Sequence, residues 1–413
     1  MIKDLFKNKS FLYLWTSQIM SQLTINIMNF LIIVRVYEYT HSPIASSFIW
    51  VAIALPAIII GPFGAATVDF SDRRKVLVFS NLAQASAVFA FALIYKQYLF
   101  LSYGIVFLYS LFNQFYVPAE SASIPYLVKK KELTEANSLF FISQQLALII
   151  AFSTAGLVSE FFGYGPAFLL GSVFLLIAAA AIRRLPKMEV GKIPGEKSLR
   201  KVASLFITQI IEGFRFILND KRVLFPFVFL LTLWTMMSIL TVNLPAISEE
   251  LFKLRANLAG LTIILPAGIG ALIGTSLVSR YDGIISKKKV VSTALFCLGL
   301  VFIVVPLVVP MLNFWAGRAF IVAAFLLAGI GYVGALVPSL TYLQEITPAA
   351  MMGRVLGYFW FVSSVIGVIP IIFSATITEI FGIRTLLVLF GLVALFGYYA
   401  LSHLIPKYLK IYE

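Results

Sequence analysis

Apolar runs fill this chain, and short charged or Gly/Pro-containing breaks separate them. The runs fall at 11–37, 44–68, 74–96, 98–128, 135–162 and 164–183, then at 222–247, 257–280, 289–311, 316–345, 350–380 and 383–405. At about 1.5 Å per residue, each is long enough to cross a hydrocarbon core of roughly 30 Å. The pattern predicts an all-α polytopic membrane protein with twelve transmembrane helices. A polar stretch at 184–221 divides the chain into a six-helix half over 1–183 and another over 222–413. Within that connector, Val202, Phe206, Ile210, Phe214 and Ile217 share one helical stripe, and Lys201, Ser204, Thr208, Glu212, Arg215 and Asn219 the opposite one. This amphipathic pattern predicts a helix on the inner membrane surface. A cytoplasmic extension of the seventh span is the alternative.

Composition agrees with the pattern and narrows the chemistry. Of 413 residues, 61% are apolar and 12% charged, against roughly 45–50% and 25% in soluble domains. That excludes a disordered chain and argues against a soluble globule. One cysteine, Cys297, and two histidines, His41 and His403, leave no internal disulfide and no Cys/His metal site. No Walker-type phosphate loop and no catalytic triad stands out, so neither ATP-driven transport nor an enzyme is expected, and no cofactor. Nothing near Met1 reads as a cleaved signal peptide. The net charge of +14 acquires meaning from its distribution. With the N-terminus inside and twelve spans threaded, 26 of the 32 Lys and Arg residues fall on the inner side, ten of them between Arg183 and Arg222. Both termini and the connector are therefore expected in the cytoplasm, by the positive-inside rule. Nucleic acid is not needed to explain the charge.

The two halves resemble each other. Val117-Pro118-Ala119 sits late in the fourth span and Val337-Pro338-Ser339 late in the tenth, an offset of 220. The loop Asp69–Lys75 has a counterpart in Asp282–Lys289, an offset of 213. Two six-helix halves related by a parallel repeat form a transporter architecture, with a site near the midplane between them. Asp69, Arg73 and Arg74 also stand in register with the motif G-x-x-x-D-R-x-G-R-K, with departures at Ala65, Phe70 and Asp72. On these residues and the twelve spans, the chain resembles the major facilitator superfamily over essentially its full length. The stretches Pro118–Val128, Glu132–Leu139 and Glu212–Ile217 resemble the branch that holds macrolide-efflux-like proteins, the enterobactin exporter and the lysophospholipid transporter. Members of that branch often carry Arg or Lys where this chain has Glu120, and Gly-Asp where it has Thr24-Ile25. The Gly-Pro-rich fifth-span motif of many drug–proton antiporters is absent from Ala151–Gly156.

Polar residues inside spans are unfavourable against lipid, so they mark inward faces. Gln18, Gln22, Asn26 and Asn29 share one face of the first span and predict either a cavity wall or an interhelical hydrogen-bond ladder. Tyr109, Asn113, Tyr116 and Glu120 recur at intervals of four, three and four in the fourth, with Gln114 beside them. The seventh span carries Thr232, Trp234, Thr235, Ser238 and Thr241, and the tenth Tyr332, Ser339, Tyr342 and Gln344. The resemblance implies that spans 1, 4, 7 and 10 line the central cavity. Candidate cavity residues are therefore Gln18, Gln22, Asn26, Tyr109, Asn113, Tyr116, Glu120, Trp234 and Tyr332. Glu120 is also the candidate proton carrier, with an ion pair to Arg73 or Arg354 as its structural alternative. The resemblance further implies that Asp69, Arg73 and Arg74 form a cytoplasmic latch. Arg35 and Glu38, three apart, predict a local ion pair, or an outer gate. Gly270–Gly274 and Gly353–Gly357 are small-xxx-small pairs suited to close helix contact.

The expected function is secondary active transport by alternating access in a bacterial inner membrane, exporting amphipathic or hydrophobic small molecules. The expected partners are such a small-molecule or lipid-like substrate, a proton as coupling ion and membrane lipids, around a monomeric protein. Lysophospholipid movement and siderophore export are the alternatives within the class, and a transport-inactive receptor is the alternative outside it.

Overall fold

The computed structural model describes residues 5–188, 208, 211–281 and 283–404, apart from the side chains of residues 62, 65–70, 349, 350, 353 and 404. The helices are α1 (Lys9–Thr40), α2 (Pro43–Phe70), α3 (Arg73–Ile94), α4 (Leu101–Leu127), α5 (Leu133–Phe162) and α6 (Tyr164–Arg183). They continue as α7 (Lys221–Glu250), α8 (Leu265–Tyr281), α9 (Lys287–Val308), α10 (Phe314–Ile346), α11 (Ala349–Val365), α12 (Val368–Phe381) and α13 (Ile383–Tyr399). No strand occurs among the described residues. Eleven segments are long and apolar enough to cross a membrane, with α11 and α12 together forming one of them. The 27-residue α4 is long enough as well, but Asn113, Gln114 and Glu120 lower its apolarity.

Short polar caps start many of these helices. Asn8 Oδ1 accepts from Phe11 N before α1, Asp72 Oδ1 from Arg74 N before α3, and Asp220 Oδ1 from Arg222 N before α7. Asn313 and Ser286 do the same for α10 and α9. Each cap supplies an acceptor to a backbone N–H that has no partner inside the helix. Gly163 and Gly382, at φ of 83° and 79°, join α5 to α6 and α12 to α13. Left-handed φ suits glycine because it lacks a Cβ. The two stand 219 residues apart, each after a phenylalanine, so the turn chemistry repeats with the spans.

The chain forms two compact units, Met1–Tyr39 with Phe48–Ile207, and Thr40–Ser47 with Thr208–Glu413. Thr40–Ser47 is held in the second unit by Glu379 of α12, whose carboxylate accepts from Ser42 Oγ and, at 3.3 Å, from Ile44 N. In the first unit α3 packs on α4 and α6. In the second α9 packs on α10 and α13, the equivalent pairs of the repeat. Close helix contact also repeats. A Cβ on Gly64 of α2 would lie 2.1 Å from the Gln114 carbonyl oxygen of α4, and one on Gly270 of α8 would lie 2.0 Å from that of Leu326 on α10. The Gly270–Gly274 pair thus serves contact with α10, whereas nothing lies within 4 Å of a Cβ on Gly357.

Of the connector, Val202, Phe206, Ile210, Lys201 and Ser204 lie outside the described residues. Residues 211–219 form a helix, and the Asp220 cap separates it from α7. Its Ile217 is fully buried against Val223, Phe227, Leu343 and Val355, while Ile211, Phe214 and Leu218 are exposed. Glu212 of the same helix meets Arg354 of α11 at 2.9 Å. One side of the predicted amphipathic helix therefore packs on the second unit.

Candidate functional site

The densest polar chemistry inside the spans lies in the first unit, where α1, α3, α4 and α5 present side chains to each other. On α4, Tyr116 and Glu120 are four residues apart and so lie one above the other on the same helix face. Tyr116 donates to Glu120 Oε1 at 2.9 Å. Ser17 of α1 stands 3.1 Å from the Tyr116 hydroxyl, and Asn81 Nδ2 of α3 donates to Ser17 Oγ at 3.1 Å. An amide N–H only donates, so Ser17 accepts from Asn81 and donates to Tyr116. The chain Asn81–Ser17–Tyr116–Glu120 then runs in one direction and ends on the carboxylate. All four residues are buried, Glu120 at 8% exposure.

One turn away, Tyr109 lies 3.5 Å from Ser21 Oγ, and Gln84 Nε2 donates to the Tyr109 carbonyl at 3.3 Å. Ser80 Oγ, Asn81 Oδ1 and Gln84 Oε1 are buried and have no hydrogen-bond partner among the described residues. The α3 face towards Tyr109 and Ser17 is therefore polar beyond what its bonds use. On the α5 side, Gln18 Nε2 donates to the Phe140 carbonyl at 3.2 Å, Ser143 donates to Gln18 Oε1 at 2.9 Å, and Trp15 Nε1 donates to Ser143 at 3.1 Å. Of the polar row of α1, Gln18 thus bonds across helices. Asn26 instead bonds the carbonyl of Gln22 on its own helix. Gln22 is half-buried, as is Asn113, which has no side-chain partner among the described residues.

The other candidates, Trp234 and Tyr332, belong to the second unit. Trp234 of α7 packs edge-on against Trp360 of α11, ring centroids 4.9 Å apart. Tyr332 of α10 packs against the cluster of Leu233, Leu295 and Ala335.

Glu120 has no basic partner among the described residues. Arg73, one of the two expected, donates to the Ala122 carbonyl at 2.8 Å, and Arg354, the other, pairs with Glu212. The Arg35–Glu38 pair does not form either. Arg35 donates to the Tyr95 carbonyl and to Ser102 Oγ and lies over the Tyr95 ring, and Glu38 accepts from Tyr164 at 2.6 Å. Each side chain finds a partner on a different neighbouring helix or loop, so both pin the end of α1 instead of each other. The side chain of Asp69 lies outside the described residues. Arg73 ties the loop to α4, and Arg74 gives its backbone N–H to Asp72. Asp72, which departs from the motif's glycine, also accepts from Met188 N at 3.2 Å and so fastens the start of the connector to this loop.

Ser17, Ser21, Asn81, Gln84 and Ser143 belong to the network but were not singled out by the sequence. The available signal was the i, i+3 pair Asn81 and Gln84 inside an apolar helix, and the i, i+4 pair Ser17 and Ser21 beside Gln18.

Known proteins place this architecture. The chain is 23% identical to the "uncharacterized MFS-type transporter" YfiS of Bacillus subtilis (strain 168), with 96% of this chain and 95% of YfiS aligned. It is 25% identical to macrolide efflux protein A of Streptococcus pyogenes over 70% of this chain and 71% of that protein. Among solved structures, a POT family transporter in complex with 5-aminolevulinic acid superposes with a TM-score of 0.74 at 13% identity, covering 96% of each chain. The nucleoside transporter NupG superposes with a TM-score of 0.68 at 14% identity, covering 95% of this chain and 99% of that one. The family description Major Facilitator Superfamily matches residues 14–370, and the chain belongs to that superfamily of membrane transporters.

Proposed function

We propose that this transporter is a secondary active exporter of amphipathic or hydrophobic small molecules, working by alternating access and coupled to protons through Glu120. The observation that carries the proposal is the buried Glu120 carboxylate, which ends a one-directional hydroxyl chain and has no basic partner among the described residues. A carboxylate inside a span is unfavourable as a fixed charge and marks a proton or substrate pathway. Tyr116 and Ser17 stabilise the ionised form by donation and can reverse their hydroxyls when the carboxyl is protonated. The group can therefore change charge without unpacking its surroundings. The similarity to macrolide efflux protein A supports outward movement of bulky apolar cargo across the bacterial inner membrane, and the scarcity of other charges near Glu120 suits such cargo.

The test is Glu120→Gln in proteoliposomes with an imposed proton gradient and a panel of macrolides, siderophores and lysolipids. Gradient-driven flux should be lost while substrate exchange at equal concentrations survives, at normal protein abundance. Unchanged gradient-driven flux would remove Glu120 from coupling.

A further inference from the structure

The second unit carries an apolar concavity lined by none of the residues of the polar network. It is a groove of about 520 Å³, within the roughly 300–1,000 Å³ typical of ligand sites. The helices α8 and α9 form its walls and α10 its floor. Gly274, Gly331 and Gly334 shape it, because they let the helices approach. A Cβ on Gly331 would lie 2.9 Å from Leu298 Cγ, and one on Gly274 would lie 3.0 Å from the Ile330 carbonyl oxygen. Along its length the walls are aliphatic, with Leu277, Leu300 and Leu327 all more than 40% exposed. Exposed leucines on membrane-spanning helices suit lipid tails, which a groove open to the bilayer would admit.

One end is different. There the lining contains Tyr281 and Lys289, and Lys289 is the groove's single charged residue. The neighbouring Lys287 is held by Glu345 at 2.5 Å, but Lys289 has no carboxylate partner among the described residues. Lys288 and Arg280 add positive charge beside it in the chain. This is also the end that the distribution of basic residues assigns to the cytoplasm. An aliphatic slot closed by an ammonium that has no carboxylate partner among the described residues is complementary to an amphiphile with one acyl chain to bury and one phosphate to place. Basic sites between spanning helices on that side bind anionic headgroups. We infer that this groove binds an anionic phospholipid of the cytoplasmic leaflet, its acyl chain against Leu277, Leu300 and Leu327 and its phosphate on Lys289.

The only cysteine of the chain lines the same groove. Cys297 is exposed there, so the native protein carries its own reporter. The full-length protein would be placed in nanodiscs of phosphatidylcholine, with and without phosphatidylglycerol, and labelled at Cys297 with an uncharged maleimide. Phosphatidylglycerol should slow labelling by roughly fivefold, the scale of one lysine–headgroup contact. Lys289→Gln should abolish that slowing. A reference cysteine, Val393→Cys in a Cys297→Ser background, should not respond to lipid charge, since it lies exposed on α13. Native mass spectrometry should find one retained anionic phospholipid in the wild type and none in Lys289→Gln or in the groove-filling Leu327→Trp. Equal labelling in both bilayers would overturn the inference, as would slowing that survives Lys289→Gln. Protection by inorganic phosphate alone, or by a macrolide instead of the lipid, would also overturn it.

Discussion

Tyr116→Phe removes one oxygen and leaves the ring in its packing against Leu14, Leu77 and Ala119. That oxygen serves Ser17 at 3.1 Å and Glu120 at 2.9 Å. A hydrogen bond to a charged acceptor contributes about 1.5–3 kcal/mol and a neutral one about 0.5–1.5. In membrane proteins measured values average nearer ~0.6 kcal/mol, because the unfolded reference also finds partners. Between these limits the substitution should destabilise the protein by about 1–3 kcal/mol. Glu120→Gln should cost less, because the amide oxygen still accepts from Tyr116. The informative quantity is the coupling between them. If Tyr116 acts through the carboxylate, the loss of its hydroxyl should cost about 1 kcal/mol less once Glu120→Gln has removed the charge. Reversible unfolding of the two single variants, the double variant and the wild type in mixed micelles gives this coupling directly. Additivity within ~0.5 kcal/mol, the behaviour of independent sites, would refute the idea that the two groups form one unit.

Four further outcomes follow from other parts of the structure. Gly270→Ala puts a Cβ 2.0 Å from the Leu326 carbonyl oxygen and forces α8 from α10, so thermal unfolding should show a loss of about 1–3 kcal/mol or more. Gly357→Ala, with nothing within 4 Å, should be neutral or slightly stabilising, since alanine is the better helix former. Asp220 caps α7 outside the membrane, and its hydrogen bond from the Arg222 side chain holds its carboxyl below the usual range. Its stabilising effect should be present above the unfolded carboxylate's pKa of ~3.9 and disappear as pH falls through the lower folded value. Asp220→Ala should cost about 1 kcal/mol at neutral pH and abolish that acid dependence of unfolding. In a Cys297→Ser background, cysteines at Lys187 and Lys253, both exposed, should react with an impermeant thiol reagent from opposite sides of the membrane. Reaction from one side would contradict the expected threading.

The spans were legible because lipid imposes an unbroken apolar length that few other environments require. The run at 164–183 became α6 with the same ends, and 135–162 became Leu133–Phe162. The first run ended early at 37, whereas α1 reaches from Lys9 to Thr40. A helix continues into the interface through polar residues, where an apolar run stops. The run at 350–380 divides at Ile366–Gly367 into α11 and α12. Pro370 has no N–H to give the Ile366 carbonyl, so the break has a local cause. Within the site, the Tyr116–Glu120 face could be read from spacing along one helix. The contacts of Ser17 and Asn81 could not, because they depend on how α1 and α3 are rotated against α4. The Arg35–Glu38 expectation failed for the same reason, since Tyr95, Ser102 and Tyr164 come from elsewhere in the chain.

The position of the buried carboxylate bears on how far relatives can speak for this protein. The branch it resembles often places an acidic residue in the first span, where this chain has Ile25, and a basic one in the fourth, where it has Glu120. Here the first-span site is filled differently. Thr24 donates to the Met20 and Gly171 carbonyls and is fully buried, and it locks α1 to α6 with a neutral group. Among the described residues, Glu120 is the one buried carboxylate inside an α-helix, while Glu132, also buried, lies just before α5. In this chain the carboxylate is thus carried by the fourth span, beside a neutral first-span threonine. Tyr116 donates to the Glu120 carboxylate, and Ser17 stands behind it as a second neutral group. An acidic residue favours cationic or neutral molecules where a basic one favours anions, so cationic amphiphiles are the class to test first in the flux panel.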